Sequence, residues 1–500
     1  MTQIEDIQTP ALPTDGQTVA TKSATWTPPA FKVSGVFSSH MVLQRDEQIR
    51  VWGFSDTPDS RVTGTFMGET SEVTVGADFR FTLTFSAHAY TREGQTMTVS
   101  DDRGHTVTFE DILIGDVYLV GGQSNSELNL SACMHLTPSV EFDENDNFRI
   151  FMETQEQPYI HQELCAEPQP DVIYEGYTWN RPTREASLRF SALGWYFARE
   201  MQKQIDVPLG ILSMAAGGAC LSELLPAELA HVQGYTSGAN VPEGGYYNTL
   251  IHPIEGLAFR AQIFFQGESE GIWRERAEKY SYELALLVAD ERARFGKNFP
   301  FYNVQLCDYC EEGAKNFVYS DIVRNHQFDA RKLIPDYSVI VSMDLGPDET
   351  YHDWAHSPRK LELAERLALL VLAKEYGIGR MEDAQSPSPV SATVNEDRTG
   401  ILVEFANVSA GLIASGHTPA DSYGMEVKGF SIGDYEHRVP ARATIVTRHS
   451  CLVEIPTDLD PAALTHVNYA FAAHVTPEDI TLRGGNNLPA VAFSMELAGI

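Results

Sequence analysis

Apolar and polar positions alternate in short bursts over the first part of the chain. Ile49, Val51 and Gly53, then Arg61 to Phe66, Phe79 to Phe85 and Thr96 to Ser100, read as strands separated by Gly, Asp, Pro and Ser. Short strands with frequent turns predict an antiparallel β domain. From Asp116 the alternation stops. Unbroken apolar runs recur at Val117–Val120, Leu209–Met214, Ala261–Phe265, Phe299–Leu306 and Tyr337–Met343, as in strands buried on both faces of a parallel sheet. Helical patterns lie between them. Leu193, Phe197 and Met201 repeat at spacing four, Tyr280 to Arg294 is rich in Leu, Ala and Glu, and Leu363, Leu367 and Leu370 lead toward a stop at Gly377. Strand and helix in alternation predict a doubly wound α/β layer. From about Ala384 short β runs return, among them Ile401–Phe405 and Cys451–Ile455.

This texture divides the 500 residues into a polar tail (1–30), an N-terminal β domain (31–110), an α/β domain (111–383) and a C-terminal β domain (384–500). A chain of this length buries ample core without disulfide staples. No apolar run approaches the ~20 residues of a membrane span. The tail lacks the basic start and apolar segment of a signal peptide, which leads to an expectation of a cytoplasmic protein. The six cysteines fit a reducing compartment. Cys307 and Cys310 form a C-x-x-C with no second pair for a zinc ribbon, and read as strand-end thiols. The 69 acidic against 36 basic residues give a formal charge of −33, which disfavours nucleic acid and anionic membranes as partners. Oligomeric state is not legible.

In an open parallel sheet, ligands bind outside the carboxyl ends of the strands. Four polar turns fall there: Gln123-Ser124-Asn125, Ala216-Gly217-Gly218-Ala219, Gln266-Gly267-Glu268-Ser269-Glu270, and His352-Asp353-Trp354-Ala355-His356. They hold the parts of acyl-transfer chemistry. Ser124, on a glycine turn after a strand, suits a nucleophile, although Ser and Asn are also ordinary turn and cap residues. An imidazole is the side chain suited to take its proton near neutral pH, and Asp353, three residues before His356, can fix the tautomer. The Gly217-Gly218 turn and the Gln266 amide offer donors to an oxyanion. Other readings stay open at this level. Asp-x-x-His is a common helix start, His352 and His356 at spacing four can hold a metal, and Glu268 with Glu270 can be read as an acid/base pair acting on a glycoside.

The residues resemble a known family. Gly122-Gln123-Ser124-Asn125, Phe265-Gln266-Gly267-Glu268-Ser269 and Asp353-x-x-His356 with Lys360 resemble the blocks of the sialate O-acetylesterases, carbohydrate esterases with an SGNH-type three-layer α/β/α domain. Val36-Phe37-Ser38, Met41 to Arg45 and Val51-Trp52-Gly53 resemble the family's N-terminal β domain. Tyr247-Asn248 to Pro253 resembles the approach to its third block, and Asn487 to Ala490 the end of its C-terminal domain. The resemblance implies Ser124 as nucleophile, His356 as base, Asp353 as its orienter, and an oxyanion hole of Ser124, Gly218 and Gln266. Gln123, Asn125, Gly217, Asn248, Glu268 and Glu270 are expected on the substrate side. No cofactor or metal is implied. Ser126, Ala219, Glu270 and Ser357 depart from the residues usual in the family, which leaves the sugar and acetyl position open. The expected activity is removal of O-acetyl groups from sialic acid. The alternatives are an esterase for acetylated xylan or another saccharide, and a non-catalytic carbohydrate-binding protein. Arg274 or Arg276 is the candidate partner for a sialate carboxylate.

Overall fold

The computed structural model describes residues 26–133, 141–144, 147–153, 164–172, 177–232, 241–309, 311–347 and 355–498. In the N-terminal part, β1 (Val42–Gln44), β2 (Arg61–Phe66), β3 (Thr91–Asp101) and β4 (Thr106–Gly122) belong to one sheet. A second, three-stranded sheet of Lys32–Val33, Ile49–Phe54 and Arg80–Phe85 faces it, with Leu83 and Phe85 closing on Gly64. The alternation read from the sequence is realised here, since every second residue of Arg80–Phe85 is buried.

The expected boundary at residues 110 and 111 falls inside β4. Up to Ile114 this strand pairs antiparallel with β3, and from Val42↔Leu113 to Gln44↔Gly115 it pairs with β1. From Asp116 to Gly122 it runs parallel to its neighbours in the central layer. The change of texture at Asp116 therefore marks a change of partners without a break in the strand. Gly115 sits at that change, where a Cβ would lie 2.0 Å from the Pro208 carbonyl oxygen.

The central layer adds β5 (Phe148–Glu153), β6 (Tyr177–Asn180), β7 (Leu209–Ala215), β8 (Ala261–Phe265), β9 (Phe301–Gln305) and β10 (Tyr337–Val341), in the order β6-β5-β7-β4-β8-β9-β10. All neighbouring pairs are parallel except β5 with β6. Neither β5 nor β6 was anticipated from the sequence. Arg149 interrupts the apolar run of β5, yet it is buried and reaches Asp111.

Helices cover both faces. They include α1 (Ser124–Glu127), α2 (Ala192–Gln202), α3 (Leu221–Leu224), α4 (Arg274–Ala277), α5 (Tyr280–Phe295), α6 (Ser320–Asp329) and α7 (Lys360–Glu375). Partners in register point the same way, and alternate residues point oppositely. Val120 and Ile263 thus face α2, whose Gly194 lies against Val120 and Ile211, and α7 packs on α2. Leu119 and Gln262 face the other side, where Gln262 meets Glu291 of α5 and α6 packs on α5. Leu193, Phe197 and Met201 are all buried, as their spacing predicted, and α5 stops at Gly296 with φ 68°. This is the three-layer α/β/α arrangement expected from the sequence.

The C-terminal β structure has a largely separate core of Val403, Ile432, Val453, Val467 and Phe493, joined by Phe328, Val341 and Met343 of the central layer. Polar contacts fix its position. Asp344 binds Arg366 and Arg483, which hold its carboxyl down at about 2 against the opposing effect of burial. By contrast, the N-terminal β core and the central core are one continuous cluster. No described helix is long and apolar enough to cross a membrane.

Candidate active site

Register explains why distant motifs meet. Gly122 at the end of β4 pairs with Ala215 of β7 on one side and Phe265 of β8 on the other. The three turns that follow therefore leave the sheet at one level. Gly122 has φ 118°, and a Cβ there would lie 2.2 Å from the Phe265 carbonyl oxygen, so only glycine fits. The chain then bends through extended Gln123 into α1, whose first residue is Ser124. Ser124 is half-buried. Ser126, the alternative hydroxyl, is fully buried and donates to the Gly121 carbonyl (2.7 Å), with the Phe265 carbonyl a second acceptor at 3.2 Å, which removes it as a competing nucleophile.

The second turn frames the space beside Ser124. Ala216 N–H bonds the Gly122 carbonyl at 3.0 Å, and Gly217 N–H donates to Glu127 Oε2 at 2.8 Å. Gly217 is thereby a scaffold contact, not an open donor. Gly218 has φ 73° and is exposed, and a Cβ on it would meet nothing within 4 Å. Among the described residues no acceptor pairs with the amide of Ser124 or of Gly218. The Ser124 amide opens a helix, where first-turn N–H groups have no partner within it, and the Gly218 amide lies in an exposed turn, so these two N–H groups can serve a developing anion.

Gln266 is placed differently from its expected role. Its side chain is fully buried, and Nε2 donates to the Ala219 carbonyl at 3.0 Å and to the Glu270 carboxylate. Its Oε1 accepts from Tyr280 at 3.1 Å. Both amide hydrogens thus have acceptors inside the protein, and the side chain braces the Gly218-Ala219 turn. Ser269 Oγ adds a bond to the Gly218 carbonyl at 2.9 Å.

The fourth turn arrives at His356, which is half-buried. Asn125 grips it on both sides, since Asn125 Nδ2 donates to the Ala355 carbonyl (3.2 Å) and Asn125 Oδ1 accepts from Ser357 N–H (3.1 Å). The residue after the serine is thus bonded to both neighbours of the histidine. Asp353 and His352 lie outside the described residues, as does Cys310. Among the described residues no group of three or more His, Cys, Asp or Glu is arranged to hold a metal ion.

Several residues expected on the substrate side face inward. Asn125 is 0%, Asn248 2%, Glu268 2% and Glu270 1% exposed. Asn248 Nδ2 donates to the carbonyls of Cys165 and Ala166 (3.1 and 3.0 Å), and Gln123 Oε1 accepts from Gly267 and Ser269 N–H (3.2 and 3.4 Å). Glu268 accepts from Asn125 Nδ2 at 2.5 Å. Burial pushes its carboxyl up, opposed by its own backbone, by that bond, and by His356 and Lys360. Glu270 accepts from Leu221 N–H at 2.7 Å and from Gln266, and burial pushes it up to about 7 against the pull of those bonds and of Arg276. Arg276 itself donates to Cys220 Sγ at 2.9 Å, while Arg274 donates to Glu278 (2.7 Å) and Glu436.

A family model, described as "Carbohydrate esterase, sialic acid-specific acetylesterase", matches residues 114–373, more than half of the chain. The protein belongs to this family of carbohydrate esterases. The sialate O-acetylesterases of Homo sapiens and Pongo abelii are each 24% identical to it over 387 residues, covering 69% of this chain and 71% of theirs. The crystal structure of a carbohydrate acetylesterase from Xanthomonas citri is similar in fold, with a TM-score of 0.78 at 24% identity over 93% of this chain and 99% of that one. Within this carbohydrate esterase some contributors escaped the sequence reading. Glu127 holds the Gly217 amide, Tyr280 holds Gln266, and Gln327 donates to the Gln266 carbonyl at 2.9 Å. Glu127 lies one turn after Ser124 and was readable as part of the site. Tyr280 and Gln327 sit on helices behind it, with no local signal.

Proposed function

We propose that this carbohydrate esterase removes O-acetyl groups from sialic acid through an acetyl-serine intermediate on Ser124, without a metal. The observation that supports the reading is the pair of hydrogen bonds from Asn125 to the backbone of Ala355 and Ser357, which ties the chain on either side of His356 to the turn that bears Ser124. Ser124 Oγ attacks the ester carbonyl while His356 takes its proton. The tetrahedral oxyanion accepts from the amides of Ser124 and Gly218. Collapse breaks the bond to the sugar oxygen, which leaves as a hydroxyl with the proton from His356. Water, deprotonated by His356, then releases acetate and restores the serine. Asp353 is assigned to orient His356, as the family blocks imply.

The assay is acetate release from O-acetylated sialic acid, with acetylated xylo-oligosaccharide in parallel. Ser124→Ala is expected to lower turnover by on the order of 10⁴-fold or more, and His356→Asn similarly. A fully active Ser124→Ala protein ends the serine reading, and inhibition by a chelator ends the metal-free one. A second reading, a neutral acetylated saccharide as substrate, is favoured by the engagement of Arg274 with Glu278 and Glu436 and of Arg276 with Cys220. Release from the xylo-oligosaccharide alone selects it. Glycan binding without acetate release from either substrate overturns both.

A further inference from the structure

Asn125 follows the proposed nucleophile directly, yet its side chain is fully buried and makes four hydrogen bonds. Nδ2 donates to Glu268 Oε1 (2.5 Å) and the Ala355 carbonyl (3.2 Å), and Oδ1 accepts from Lys360 Nζ (2.6 Å) and Ser357 N–H (3.1 Å). A primary amide offers two donors and two acceptor lone pairs, so all its capacity is used. Its orientation is also forced. Rotating the amide by half a turn sets its NH₂ against the Lys360 ammonium and Ser357 N–H, and its oxygen against Glu268 and the Ala355 carbonyl.

The flanking charges are unusual for a mere loop tie. Lys360, also fully buried, lies 5.0 Å from the centre of the Phe265 ring, and Glu268 is 2% exposed. Taking two charges out of water is costly, and replacing such a pair by apolar side chains is often neutral or stabilising. A neutral bond would hold a loop at lower cost. What the charged pair adds is a much higher cost for the flipped amide than the Ala355 carbonyl and Ser357 N–H impose by themselves, which holds those two residues and with them the backbone of His356.

We propose that Asn125, oriented between Glu268 and Lys360, is the positioning residue that sets the reactive placement of His356 against Ser124. This rests on the reading of His356 as the general base. Asn125 touches neither substrate nor reacting atom in this role. It acts through the two peptide groups on either side of the imidazole.

The test measures kcat and KM for acetate release together with thermal midpoints, in the full-length protein. Because misplacement by about 1 Å can cost 10²-fold, Asn125→Ala and Lys360→Met are each expected to lose roughly 30- to 100-fold in kcat, with KM within about twofold of wild type. Lys360→Arg, which keeps the charge and a donor, is expected to retain most of kcat. Asn125→Asp sets a carboxylate against Glu268, so adding Glu268→Gln, which supplies a donor, should recover about tenfold or more over the single variant. Four results overturn the proposal: kcat within about threefold of wild type in Asn125→Ala, loss confined to KM, loss matched by unfolding at assay temperature, or no recovery in the double variant. His356→Asn, run alongside, separates the two readings. If it is active the base assignment fails first, and if it is inactive while Asn125→Ala is normal, only the positioning role fails.

Discussion

Glu268 and Glu270 lie two residues apart on one turn, equally buried, and serve opposite halves of the site. Glu268 meets Asn125, with Lys360 beyond it, on the side of His356. Glu270 meets Gln266 and the Leu221 amide, on the side of the Gly218 turn. The difference lies in compensation. Glu268 is balanced across an amide by a buried ammonium, whereas Glu270 depends on neutral donors and the more distant Arg276, and burial lifts it to about 7. One half of the site is therefore organised by paired charge. The other is organised by hydrogen bonds around a carboxyl poised to gain or lose its proton near neutral pH.

The largest effect should come from Gly122, the floor shared by both halves. Gly122→Ala adds a strained φ and a contact with Phe265, and is expected to destabilise by about 3 kcal/mol or more and to abolish acetate release, seen in denaturant titration and assay. Next, Glu270→Ala leaves the Leu221 and Gln266 donors without their acceptor and should cost about 1–3 kcal/mol. Glu268→Ala should show the reverse balance, with a larger loss in kcat than in thermal midpoint. Equal kinetic and stability profiles for the two variants would erase the distinction between the halves.

A smaller effect concerns pH. In the unfolded chain Glu270 titrates near the ordinary value, so between about 4.5 and 7 the folded state holds the proton and the unfolded state does not. Stability from this group is complete below that range and is lost as pH rises through about 7. Glu291, pushed up to about 8 by burial, adds a loss of the same sign that begins in the same range and continues to about pH 8. Glu270→Gln and Glu291→Gln should each flatten their part of the stability curve measured from pH 5 to 9. A steeper fall in Glu270→Gln would reverse the assignment. The smallest effect is at Arg274, whose partners Glu278 and Glu436 are half exposed. Arg274→Ala should leave the thermal midpoint unchanged within error.

Much of this was legible because the signals were local. Unbroken apolar runs located β4, β7, β8, β9 and β10, and the turns after β4, β7 and β8 carried Ser124, Gly218 and Gln266. What was not legible was direction. A polar residue at a strand end reads as a ligand group whichever way it points, and Asn125, Glu268 and Glu270 point inward where Gly122 and Gly267, with φ 118° and 139°, set the path of the turns, while Asn248, on the helical segment Tyr247–Ile251, is turned toward the Cys165 and Ala166 carbonyls. Arg149 concealed β5 because its partner, Asp111, is distant in sequence. The expected edge of the N-terminal β domain falls within β4 for a related reason, since periodicity reports burial and not strand continuity.

That continuity makes the protein a poor subject for domain transplantation. The segment that places Ser124 begins as a strand of the N-terminal β sheet, so a foreign β domain would have to enter through residues 106–115 in the same register. Inserting one residue there would turn each side chain from Asp116 to Gly122 to the opposite face. The serine would be carried out of the crevice with every residue of its sequence intact.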